Sequence, residues 1–127
     1  MIILNFSHPL TATQEQAIVE MTGLAVTAVQ TVTCQLDNSA EFSPQVRQLI
    51  HQLNLSPTTW QTERILIVPP GYAPATAVLL AELHGRMGYF PSLVRIRPNH
   101  TANEPYEVAE IINLQQLREQ TRQEARK

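Results

Sequence analysis

Apolar positions in this chain follow three patterns: short unbroken runs, three- and four-residue spacings, and partial alternation. Met1 to Phe6, apolar except for Asn5, predicts a short buried strand ended by Ser7-His8-Pro9. Thr11 followed by Gln14 fits a capping box that opens a helix from about Ala12 to Met21, stopped by Gly23. Ala17, Ile18 and Met21 share one face of that helix. Ala25 to Leu36 is rich in Val and Thr and predicts a second strand, followed by the turn Asp37-Asn38-Ser39. Ser43-Pro44 predicts a helix start, with Val46, Leu49, Ile50 and Leu53 facing inward. Ser56-Pro57 repeats the signal for a short turn carrying Trp60.

Arg64 to Val68 predicts a third strand, broken by Pro69-Pro70-Gly71-Tyr72. A helix follows from about Pro74 to His84, with Gly85 as its expected stop. Phe90 to Arg97 and Glu107 to Leu114 predict two further strands around a loop from Pro98 to Pro105. The chain closes in a charged helix, 114–127, whose apolar positions end at Leu117, so its last turns are expected to fray. Strands alternating with helices predict one α/β domain over 1–127, Rossmann-like, with a mostly parallel sheet flanked by helices. Such sheets keep ligands outside the carboxyl ends of their strands. Two segments qualify: Asn5 to His8, and Pro69 to Ala73.

Composition narrows the function classes. Of 127 residues, 43% are hydrophobic and 16% charged, with net charge −2, which excludes an extended acidic chain. Residues 1–63 hold one base against five acids, and residues 64–127 hold eight against six. Neither half carries the basic stripe of a duplex nucleic-acid binder, whereas a small anion held by backbone groups stays open. No apolar run is long enough to span a membrane, and no secretory signal is expected. The single cysteine, Cys34, excludes an internal disulfide and fits a reducing cytoplasm. Four scattered histidines and one aspartate give no metal-site spacing, so neither a metal nor another cofactor is expected.

Asn5, Phe6, Ser7 and His8 bring together an amide, a ring, a hydroxyl and an imidazole, a set able to stack on a base, bind phosphate and move a proton. A polar strand end without a ligand is the alternative reading. Pro70, Gly71, Tyr72, Ala73 and Thr76 lead from a strand into a helix, where free amides and the helix dipole favour anions. No Gly-Lys-Ser/Thr ending makes this a Walker loop, and a rigid ligand-free turn stays open beside the anion wall. From Ala75 to His84 only Thr76, Glu82 and His84 are polar, which predicts a homodimer contact through this helix or its burial between sheet and terminal helix. Arg86 is placed to bridge a phosphate or to hold Glu82. Arg95 and Arg97 share a strand face and are expected to meet Glu107 or Glu110 across the sheet.

Four stretches carry a family resemblance: Met1-Ile2-Ile3-Leu4-Asn5-Phe6-Ser7-His8-Pro9-Leu10-Thr11, Trp60-Gln61-Thr62, Ala81-Glu82-Leu83-His84-Gly85-Arg86-Met87-Gly88-Tyr89-Phe90-Pro91, and Glu107-Val108-Ala109-Glu110-Ile111-Ile112-Asn113-Leu114. Together they resemble the small CRISPR-associated Csx proteins of type III loci, specifically the fifteenth numbered Csx family. The resemblance implies a relative of the CRISPR-associated Rossmann fold, a class whose dimers bind cyclic oligoadenylate across a two-fold axis. It implies a cytoplasmic protein of antiviral defence that sequesters cyclic tetra-adenylate as a sponge, as a homodimer or a higher oligomer or filament on ligand binding. The alternative is a metal-independent ring nuclease, in which a ribose 2′-hydroxyl attacks in line and Ser7 and His8 are the catalytic pair.

Overall fold

The computed structural model describes residues 1–100 and 103–126. Five strands and five helices follow one another as β1 Ile2–Asn5, α1 Ala12–Thr22, β2 Ala28–Thr31, α2 Phe42–Gln52, α3 Pro57–Thr62, β3 Ile65–Val68, α4 Ala73–Met87, β4 Ser92–Pro98, β5 Tyr106–Asn113 and α5 Leu114–Ala125. They build one sheet in the order β2-β1-β3-β4-β5. The first four strands in that order pair in parallel, and β5 returns antiparallel to β4. This is the mostly parallel, helix-flanked, Rossmann-like α/β sheet that the hydrophobic pattern predicts. A parallel neighbour requires a long crossover, which the segment between β4 and β5 is too short to supply.

β1 and β3 are buried along their whole length, and their side chains alternate between two cores. On one face Ile2, Leu4, Phe6, Ile65 and Ile67 pack with Val46 and Ile50 of α2, Trp60 of α3, and Leu79, Leu83 and Met87 of α4. On the other, Met1, Ile3, Leu66, Val68, Val94 and Val108 meet Ile18 of α1. The Thr11–Gln14 capping box forms: the Gln14 N–H donates to the Thr11 hydroxyl at 3.1 Å, and the Gln14 carboxamide accepts from the Thr11 N–H at 3.0 Å. That same carboxamide donates to the Tyr106 carbonyl, fastening α1 to β5.

Several elements differ from the sequence pattern for identifiable reasons. β2 is shorter than the Ala25–Leu36 run because its only partner, β1, has four residues to offer. α2 starts at Phe42, ahead of Ser43-Pro44, since proline is tolerated throughout a first turn. Met21 is 49% exposed, so α1 turns Ile18 and Gln14 inward instead. α5 stays helical through Ala125 although none of its residues is buried.

α4 runs through Gly85 and stops at Gly88, which has φ +82° and donates its N–H to the His84 carbonyl at 2.8 Å. Packing carries the helix onward, because Leu79, Leu83 and Met87 form one buried row at four-residue spacing. The apolar character of α4 thus divides by size. Large side chains face the core, while Ala73, Ala77, Ala81 and Gly85 lie exposed.

The two glycines should behave oppositely. Gly85→Ala places a Cβ in open space inside a helix and should stabilise the protein by about 0.5–1 kcal/mol. Gly88→Ala forces an L side chain into the left-handed region and should destabilise it by roughly 1 kcal/mol. Urea unfolding of both variants checks the helix end.

Candidate functional site

β1 ends because Asn5 folds its own tip. Its side chain is fully buried. Nδ2 donates to the His8 carbonyl at 2.8 Å, and Oδ1 accepts from the Ser7 N–H at 3.0 Å. The amide replaces the strand ladder at Ser7 and His8 and turns the chain outward, which leaves both residues exposed. Next door, β3 ends at Pro69-Pro70, which have no N–H to continue the ladder. The two tips stay joined because the Phe6 N–H donates to the Val68 carbonyl at 2.9 Å.

The turn after β3 is braced from within α4. The Thr76 hydroxyl donates to the Pro70 carbonyl at 3.0 Å, and the Thr76 N–H makes the first helical bond to the Tyr72 carbonyl at 3.1 Å. Ahead of that bond, the amides of Ala73 and Ala75 precede the helical ladder, and Pro74 has none to give. Tyr72 is 52% exposed and sits edge-on to Phe42, with ring centroids 5.7 Å apart.

Between these tips lies a cleft of about 1190 Å³. The β1 tip supplies Phe6, Ser7 and His8, and the turn after β3 supplies Pro69, Pro70, Gly71 and Tyr72. Thr31, Thr33, Cys34 and Asn38 form the wall beyond β2, with Arg95 of β4 and Glu104 to Tyr106 opposite. The chain leaves β1 towards β2 on one side and returns to β3 on the other, so the cleft opens at the point where strand order reverses. Burial pushes the Cys34 thiol up from its ordinary pKa, which keeps it protonated and a poor nucleophile. Beside the cleft, the Ser39 hydroxyl, then its N–H, holds the Asp37 carboxyl below the usual range.

Of the residues singled out from the sequence, Ser7, His8, Pro70, Gly71 and Tyr72 meet in this cleft. Phe6 reaches its wall but is only 3% exposed, so its ring belongs to the core and offers no free face for stacking. Asn5 lies beneath the wall with both ends of its amide engaged, so it shapes the tip and is not free to read a base. Ala73 and Thr76 do not line the cleft, whereas Ala75 does. Arg86 is elsewhere, roughly 20 Å along α4 from Ala73 at about 1.5 Å per residue. It borders a separate shallow depression with Ser43, Arg47 and Glu82, where Arg47 donates to Glu82 at 2.8 Å and Arg86 stands 3.8 Å from the same carboxylate. His84 lies against the Phe90 ring, centroids 4.3 Å apart, in the last turn of α4.

Gly71 has neither a positive φ nor a crowded Cβ position, so the turn itself does not require glycine there. Thr33, Cys34 and Arg95 also line the cleft with no local sequence signal, because the segment after β2 brings the first two there and strand register the third. Among the described residues no three His, Cys, Asp or Glu side chains gather into a possible metal site. No helix there is long and apolar enough to cross a membrane. Comparisons with family models, curated proteins and solved structures gave no match.

Asn5→Ala should leave the Ser7 N–H and the His8 carbonyl without their partner and cost about 1–3 kcal/mol. Ser7→Ala, at an exposed position, should change stability by less than about 0.5 kcal/mol. Chemical denaturation distinguishes a structural amide from an idle one.

Proposed function

We propose that the chain binds and sequesters cyclic tetra-adenylate in type III CRISPR antiviral signalling, as its resemblance to the Csx proteins implies. The observation that carries the reading is the meeting of the β1 and β3 tips in one cleft at the reversal of strand order. Its chemistry suits a nucleotide. Backbone amides at Gly71, Tyr72 and Ala75, all residues of the cleft wall, are on offer to phosphate near the positive end of α4. The exposed Tyr72 ring offers a stacking surface, and Ser7, His8, Thr33 and Asn38 offer polar groups for base edges and ribose hydroxyls. The cyclic ligand is two-fold symmetric, so a cytoplasmic homodimer presents each wall twice around one ring. The small exposed row on α4 allows close approach of a second copy, and ligand-driven assembly beyond the dimer belongs to the same proposal.

Holding is favoured over cutting. Neither the Ser7 hydroxyl nor the His8 imidazole has a hydrogen-bond partner among the described residues, whereas a working base is normally oriented by a third group. The ring-nuclease alternative rests on those same two side chains standing together at the cleft. It requires the bound ring itself to align the 2′-hydroxyl with its neighbouring phosphate.

Titration of labelled cyclic tetra-adenylate, followed by chromatography and sedimentation of the complex, tests both readings. The expected result is intact, retained ligand with two chains per ring at the smallest assembly. Linear products at many turnovers per chain would establish the nuclease instead. Gly71→Val adds bulk to the cleft without burdening the turn, so its unfolding midpoint should hold while affinity falls roughly tenfold or more. An unchanged affinity would place the ligand elsewhere.

A further inference from the structure

Register places one cation at the mouth of this cleft. Ile67 of β3 lies opposite Leu93 of β4, so two residues further on Arg95 stands level with Pro69, where the parallel ladder has ended. Neighbouring strands are about 4.8 Å apart, which puts the Arg95 backbone beside the turn that opens α4. Its side chain is 47% exposed, and the guanidinium donates through Nε and Nη2 to the same oxygen of Glu110, at 3.1 and 2.8 Å. Nη1 has no partner among the described residues, and Arg95 is the one arginine on the cleft wall. The nearest comparison is on the same strand. Arg97 makes a like pair with Glu107 at 3.0 Å and is 53% exposed, yet it lies outside the cleft wall.

We propose that Arg95 is the phosphate-recognising residue of the cleft, held in place by Glu110 in the free protein and turned to a ligand phosphate through its uncommitted N–H groups. The inference rests on the cyclic tetra-adenylate reading and deepens it. On a two-fold axis the four phosphates of the ring fall into two pairs, the members of each related by the axis. The amides at the start of α4 take one pair, and the two copies of Arg95 take the other. A planar fork of donors suits a phosphate, and it supplies the charge that backbone amides alone do not. Glu104 is the only carboxylate on the wall, and its Oε2 accepts from the Thr11 hydroxyl at 3.1 Å.

Titrations of labelled cyclic tetra-adenylate into the wild-type protein, Arg95→Gln and Arg97→Gln, each at two salt concentrations, decide the point. Both arginines form exposed pairs that contribute little to stability, so both variants should unfold at the wild-type midpoint. Arg95→Gln should weaken binding roughly tenfold or more and flatten its dependence on salt, while Arg97→Gln stays within about twofold of wild type. Equal behaviour of the two variants, with wild type binding normally, would overturn this inference and leave the ring-binding reading standing. No binding by the wild-type chain would overturn both.

Discussion

The buried amide of Asn5 is the constraint on which the rest of this structure depends. A four-residue strand buried on both faces would run on into the next pair of residues unless something replaced its ladder. Asn5 does so by taking the Ser7 N–H and the His8 carbonyl to itself. Ending β1 there sets the length of β2, frees residues 33–38 to form a wall, and leaves a gap beside the turn after β3. The adjoining prolines end β3 by the opposite means, by withholding donors. One tip is closed by an added hydrogen-bonding group and the other by missing ones, and the cleft is the space between them.

How much of this is legible in the sequence depends on the range of the interaction. The capping box at Thr11 and Gln14 is local, and it forms as read. The buried runs at β1 and β3, the proline break and the Arg–Glu pairing across β4 and β5 are short-range patterns, and they hold. Gly85 looks like the end of α4, while the Leu79–Leu83–Met87 row that continues the helix draws its stabilisation from the sheet beneath. The Val- and Thr-rich run overstates β2 for a similar reason, since the length of an edge strand is decided by its neighbour.

The site shows the same division. Both tips were visible as polar or proline-rich interruptions after apolar runs. The burial of Asn5 was not visible, because an amide that folds its own turn and an amide that faces a ligand occupy the same place in sequence. Arg86 drew notice through its neighbours in the chain, yet it lies at the far end of α4. Arg95 reaches the cleft through inter-strand register, which no local pattern encodes.

These parts support one proposal, that the β1 and β3 tips together hold a cyclic adenylate ring. Amide hydrogen exchange with and without cyclic tetra-adenylate tests it most directly. The account predicts slowed exchange at Ser7, His8, Gly71 and Tyr72. Protection confined to the surface around Arg47 and Arg86, or no protection at either tip, would contradict it.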